Sequence, residues 1–347
     1  MSHGNNLSQQ ARYRARCTGR GHQSEHQFLS TTRLAAPIPE AAGEQALLEA
    51  ALFERIDGIF DYCAHPAGVH SVLPQPDHLT VRLDPYLGRT DRALPLHSLA
   101  GLLPTYYTGD KEDPEGPGGV TGVRLLGIDE RGLHLGMAGN AASATLTGPT
   151  SEQWRDHLAE HRAWCAENEL APLWDTPGLS EPETADRAAH SSWYQILAKG
   201  AWLGSGLLRR IGLFHTVASP YSLRYWNNGE DWKFELKYER GVPADHDDLI
   251  QHLLHPTWGL PLRVDHRHCE CRPCDCDGGR ERICSIDLAP LDGRYGGIGF
   301  RFRSTAQGYD LTEQYAKLVN SGAPSSWLRR ALPRHHHKAK ETEAVVA

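Results

Sequence analysis

Residues 268–279 read His-Cys-Glu-Cys-Arg-Pro-Cys-Asp-Cys-Asp-Gly-Gly, so Cys269, Cys271, Cys274 and Cys276 place four of the eight cysteines in one short segment. Thiols at that density read as metal ligands, disulfide partners or a reduced loop without metal, and a reducing compartment favours metal over disulfides. A tetrahedral zinc needs four donors within about 4 Å of one another. The four sulfurs meet that condition only if the chain reverses between the two pairs, and Arg272-Pro273 supplies the turn because proline presets φ. Zinc fingers and ribbons separate their paired ligands by about a dozen residues or more. The tighter spacing here leaves His266, His268 or Cys284 as replacements for one of the four cysteines. A closed zinc site of this kind is scaffold, because it offers no position to a substrate.

A second set of ligand-type residues falls on one helix face. Thr150 followed by Gln153 forms a capping box, opening a helix that runs to about Asn168. Along it His157 and His161 share an arc with Trp154, Leu158, Trp164 and Cys165, and Glu160 lies at the arc's edge. The order His157-x-x-Glu160-His161 resembles that of the inverted zinc peptidases over these five residues. The resemblance implies that His157 and His161 bind zinc and that Glu160 activates water. Core-edge histidines bonded to backbone give the same pattern, and no third ligand is identified. Other enzymatic signatures are missing. Residues 204–210 lack the third glycine of a dinucleotide fingerprint, residues 293–302 lack the Lys-Ser/Thr of a phosphate loop, and no Gly-x-Ser-x-Gly elbow occurs.

A net charge of −7 excludes a phosphate-binding surface spread over the whole protein. Basic residues instead crowd the ends: Arg12, Arg14 and Arg16 near the start, Arg329 and Arg330 near the finish. These are the candidate contacts to nucleic acid. No run of 18 apolar residues occurs, and the first residues lack the apolar stretch of a secretory signal. A cytoplasmic protein with no membrane partner is expected.

Periodicity predicts the elements that position these residues. Apolar residues between Glu44 and Phe60 recur at helical spacing, and His78–Asp84 alternates as a strand does. Strands at 122–128 and 132–138 flank Asp129–Gly132, and a third follows near residue 141. A helical stretch from Ala185 to Leu213 is expected to break near Gly200–Gly206. Asn228-Gly229 then joins two alternating strands, because this pair accepts the positive φ of a tight hairpin. A short helix at Asp245–His255, further strands around the cysteines and a helix at Leu311–Asn320 complete the reading. No internal repeat is read from the sequence.

The expectation is an α+β protein with mostly antiparallel sheets: a flexible basic arm at 1–36, one domain at 37–170, a linker at 171–187, a second domain at 188–328 carrying the cysteine-rich hairpin tip, and a flexible basic tail at 329–347. The function expected first is a zinc-binding, macromolecule-binding module, with nucleic acid as partner. A metal-dependent hydrolase built on Glu160, or a protein–protein adaptor whose arms fold on a partner protein, is the alternative.

Overall fold

The computed structural model describes residues 3–32, 34, 36–56, 65–84, 94–109, 116–216, 222–238, 246–269, 283–304, 316 and 319. Among the described residues the chain runs α1 (His3–Thr18), α2 (His22–Thr31), α3 (Gly43–Ile56), β1 (Val69–Pro74), β2 (His78–Leu83), α4 (Leu94–Leu102), β3 (Thr105–Tyr107), β4 (Val123–Asp129), β5 (Gly132–Met137), β6 (Ser143–Thr147), α5 (Ser151–Glu167) and β7 (Leu170–Pro172). It continues with α6 (Glu181–Ala189), α7 (Ser191–Leu208), β8 (Ser222–Asn227), β9 (Asp231–Tyr238), α8 (His246–Leu253), β10 (Leu262–His268), β11 (Ile283–Pro290) and β12 (Gly297–Ser304). This is the α+β fold expected, with two five-stranded sheets of mostly antiparallel pairs.

The two sheets share one topology. Their orders are β1-β2-β6-β5-β4 and β8-β9-β12-β11-β10, in each case a hairpin laid parallel to the last strand of a three-stranded meander. Register matches as well. Leu79 opposite Ala144 corresponds to Trp232 opposite Ile298, and Leu135 opposite Ala144 corresponds to Leu288 opposite Ile298. Even the irregularity recurs: the ladder slips between Leu125 and Gly127 in the first sheet and between Val264 and His266 in the second. Each sheet is preceded by a long helix, α3 or α7, ending in Ala51-Leu-Phe-Glu-Arg-Ile56 or leading into Gly206-Leu-Leu-Arg-Arg-Ile211. The chain is therefore an internal repeat that its sequence conceals, since matched core positions hold residues as unlike as Ala144 and Ile298.

The repeats meet through their equivalent helices. Gly204 lets α7 approach α3 closely; a Cβ there would come within 2.8 Å of the Ala50 Cβ and 2.6 Å of the Trp232 ring. Gly204 thus serves helix packing, and α7 runs unbroken from 191 to 208 where a break near Gly200–Gly206 was expected. One apolar core passes through both repeats, joining Leu48, Leu52 and Phe53 of α3 to Leu203 and Leu207 of α7 and to both sheets. Residues 171–187, expected as a linker, contain β7, which pairs with β3, and the start of α6, capped by Ser180 and Glu183.

The N-terminal segment expected as an arm is the α1–α2 helix pair. Arg14 and Glu25 have no exposed side-chain surface and pair with each other, while Arg14 also donates to the carbonyls of Pro37 and Pro74. A charge with that many buried partners is part of the core. The helix expected at Leu311–Asn320 and the tail at 329–347 lie outside the described residues, residues 316 and 319 excepted.

Candidate metal centre

Three side chains converge where the second sheet meets α8. His246 opens that helix, Cys269 follows the end of β10, and Cys284 lies near the start of β11. The Cys269 Sγ is 3.3 Å from His246 Nε2 and 3.3 Å from Cys284 Sγ. One donor atom from each residue lies within 4.8 Å of the other two, and the group could hold a metal ion. Two ligands on a tetrahedral zinc sit about 3.6–3.8 Å apart, so an entering ion would need to spread the two 3.3 Å contacts of Cys269 by only a few tenths of an ångström.

The surroundings select which atoms face the centre. His246 Nδ1 is 2.8 Å from Asp247 Oδ1, and Arg267 donates to the same carboxylate oxygen at 2.6 Å. A ring that gives its Nδ1 proton to a carboxylate presents a lone pair at Nε2, the atom aimed at the sulfurs. Phe302 meets the His246 ring edge-on at 5.3 Å and, opposite Cys284 on β12, helps fix both ligands. Cys284 and His246 are buried and Cys269 is exposed. Burial opposes the charge on Arg267, but Asp247 and then Cys269 outweigh it and raise that pKa.

The repeat explains the site's position. In the first sheet Asp129 pairs with Gly132, and Glu130-Arg131 make the tight turn between β4 and β5. At the matching place Cys269 and Cys284 flank a longer connecting segment, residues 270–283. A long insertion opens the base of a hairpin, and cross-linking that base restores the closure the short turn supplied.

The residues nominated from sequence separate into groups. Cys269 and Cys284 are at the centre, while Cys271, Cys274 and Cys276 lie outside the described residues. His266 and His268 are exposed on β10 and are not members of the group. The missed ligand is His246. In the sequence it stands in Asp245-His246-Asp247-Asp248, where the neighbouring carboxylate that orients it is the available signal.

Among the described residues the α5 residues are not part of a group of three metal-ligand side chains. Buried His161 is stacked between Trp164 and Trp174 at 5.8 and 5.2 Å, and its Nε2 faces Cys165 Sγ at 3.9 Å. His157 lies edge-on to Trp154, and Glu160 is exposed. Among the described residues His246, Cys269 and Cys284 are the only group of three such ligands. The phosphate contacts need correction. Arg14 is buried against Glu25, and Arg16 pairs with Asp248 on α8. Arg12 is exposed on α1; Arg329 and Arg330 lie outside the described residues. No described helix is long and apolar enough to cross a membrane.

The site and topology together define a two-repeat α+β protein with one candidate metal centre, inserted in the second repeat. Comparison with protein-family models, curated proteins and solved structures finds no match.

Proposed function

We propose that the protein is a zinc-stapled binding module in which the metal holds the β10–β11 ribbon against α8 so that the ribbon can engage nucleic acid. The carrying observation is the convergence of His246 Nε2 with the Cys269 and Cys284 sulfurs, the histidine being oriented by Asp247. One nitrogen and two sulfurs suit zinc over hard, oxygen-seeking cations. A fourth ligand is available from Cys271, Cys274 or Cys276, which follow Cys269 in the same inserted segment. That set would be closed, so the zinc would give rigidity and no Lewis-acid chemistry.

The partner surface favoured is β10 itself. Arg263, His266, Arg267 and His268 are exposed along this edge strand, and the exposed Arg263–Asp265 ion pair is too weak to withhold its arginine from a phosphate. Elemental analysis of untagged protein tests the metal: one zinc per chain is expected in the wild type and none after Cys269→Ser/Cys284→Ser. Fluorescence anisotropy on single- and double-stranded oligonucleotides tests the partner. Binding should weaken as salt rises and weaken further in Arg263→Ala. No bound cation in the wild type overturns the zinc reading, and salt-insensitive or absent binding overturns the nucleic-acid reading.

A further inference from the structure

On the open face of the first sheet, five side chains form an unbroken hydrogen-bonded line across four strands. Ser143 Oγ is 2.9 Å from His78 Nδ1, and His78 Nε2 is 3.1 Å from Thr145 Oγ1. Thr145 Oγ1 is 3.0 Å from His134 Nδ1, and His134 Nε2 is 2.7 Å from Asp129 Oδ1. The far end gives the line one consistent order of donors and acceptors. Ionised Asp129 can only accept, and the bond from His134 foremost holds its pKa below the usual range. With its Nε2–H given to Asp129, His134 can accept at Nδ1 from the Thr145 hydroxyl. Thr145 oxygen then accepts from His78 Nε2–H, which leaves His78 Nδ1 to accept from the Ser143 hydroxyl.

We propose that this line activates Ser143 as a nucleophile towards carboxylic and phosphoric esters, with His78 as general base and Thr145, His134 and Asp129 as positioning residues. A serine whose proton is taken by a histidine, itself oriented by a further acceptor, is the arrangement that makes a hydroxyl nucleophilic. Burial lowers the His78 pKa, so the ring is available as a base. Ser143 is fixed by a second device. The Gln45 amide accepts from its backbone N–H at 2.9 Å and donates to its carbonyl at 3.0 Å. Gln45 lies in the first turn of α3, which brings the positive end of that helix beside the serine.

The second repeat is an internal control. At the places of Ser143 and Thr145 it carries Gly297 and Gly299, opposite Asp231 and Lys233 where the first sheet has His78 and Thr80. The sheet forms without the hydroxyls, so folding alone does not require them. Ser143 and His78 are half-buried, and the apolar side chains of their strands, such as Leu79 and Ala144, point to the opposite, buried face. In the reaction the Ser143 Oγ–H proton passes to His78 Nδ1, a bond forms from Oγ to the ester carbon or phosphorus, and the leaving group departs with a proton returned by His78. Water then hydrolyses the acyl-enzyme, His78 again taking and returning the proton.

A biotinylated fluorophosphonate tests the proposal on the full-length protein, because attack on phosphorus expels fluoride and leaves a stable Ser143 adduct visible by peptide mass spectrometry. One adduct at Ser143 is expected, lost in Ser143→Ala and formed at least tenfold more slowly in His78→Gln. Thr145→Val, which interrupts the line while leaving Ser143 and His78 in place, should slow labelling, and Thr145→Ser should restore it with unchanged melting temperature. Cys269→Ser/Cys284→Ser should label at the wild-type rate, keeping this site separate from the metal centre. No adduct at Ser143, or a labelling rate unaffected by His78→Gln and Thr145→Val, overturns the proposal.

Discussion

Glu49 on α3 and Arg209 at the end of α7 form a two-point ion pair, with contacts of 2.6 and 2.7 Å and no exposed side-chain surface on either residue. Ser205 donates to the same carboxylate at 2.6 Å, and Gln45 donates to it at 2.8 Å. Because α3 and α7 are equivalent helices of the two repeats, this network locks the repeats together at their junction.

Removal of one partner strands a buried charge. Glu49→Ala should therefore destabilise the protein by about 3–5 kcal/mol, whereas Glu49→Leu with Arg209→Leu should recover much of that loss. Urea unfolding of the three proteins checks this; equal losses in the single and double variants would mean that the pair is not coupled.

Arg14 illustrates how far composition leads. Its cluster with Arg12 and Arg16 looks like a phosphate-binding arm, yet one helical turn decides the outcome: Arg14 points inward to Glu25, Arg12 points outward, and Arg16 reaches Asp248. Arg14→Met should lower the urea midpoint and leave oligonucleotide affinity of the folded protein within twofold. A large affinity loss at unchanged stability would restore Arg14 to the binding surface.

The hairpins, the Thr150 capping box and the Asn228-Gly229 turn were legible because each is specified within a few residues. Gly229 alone of the pair takes a positive φ, +90°, while Asn228 braces the turn by accepting at Oδ1 from the N–H groups of Glu230 and Asp231. What escaped was long-range: the parallel β2–β6 and β9–β12 junctions, the repeat they define, and His246, which meets its cysteines only after α8 folds onto the second sheet. Cys269 and Cys284 were legible as metal-ligand candidates, while the histidine that completes their group, far from both in sequence, depended on how α8 packs.

Acid should weaken the fold through His70. Burial, then the neighbouring His65 and Arg82, lowers its pKa from 6.5 to about 4. As pH falls from about 6.5 to 4 the unfolded chain takes up a proton that the folded chain refuses, so stability is complete above that window and declines within it. The ring is half-buried, which limits the loss to on the order of 1–2 kcal/mol. Unfolding free energies measured across the window should show this slope, and His70→Gln should reduce it; an unchanged slope in the variant would assign the effect elsewhere.

Glu160→Gln and His161→Ala separate scaffold from catalysis on α5. Glu160 is exposed, so its substitution should alter stability by less than about 0.5 kcal/mol. His161 fills the space between two indoles, and its truncation should cost about 2 kcal/mol or more through the cavity left behind. Neither should change zinc content. A lost equivalent in either variant would return the helix to consideration as a metal site.

Asp247 provides the most discriminating test of the metal centre because it touches the ligand and not the ion's place. It holds His246 Nδ1 and is itself held by Arg267, so Asp247→Ala frees the ring to rotate while leaving all three donor atoms in the chain. Loss of such a supporting carboxylate typically weakens a metal 10–100-fold. Competition with a chromophoric chelator should show that drop, and Asp247→Asn, which can still accept from Nδ1–H, should recover part of it. Zinc removal should in turn expose the β10 and β11 amides to hydrogen exchange while the β1–β2 amides stay protected, because the inserted hairpin has lost its staple and the first repeat has none to lose. Equal affinity in Asp247→Ala and wild type, or exchange rising evenly across both sheets, would mean that any bound zinc is held without His246.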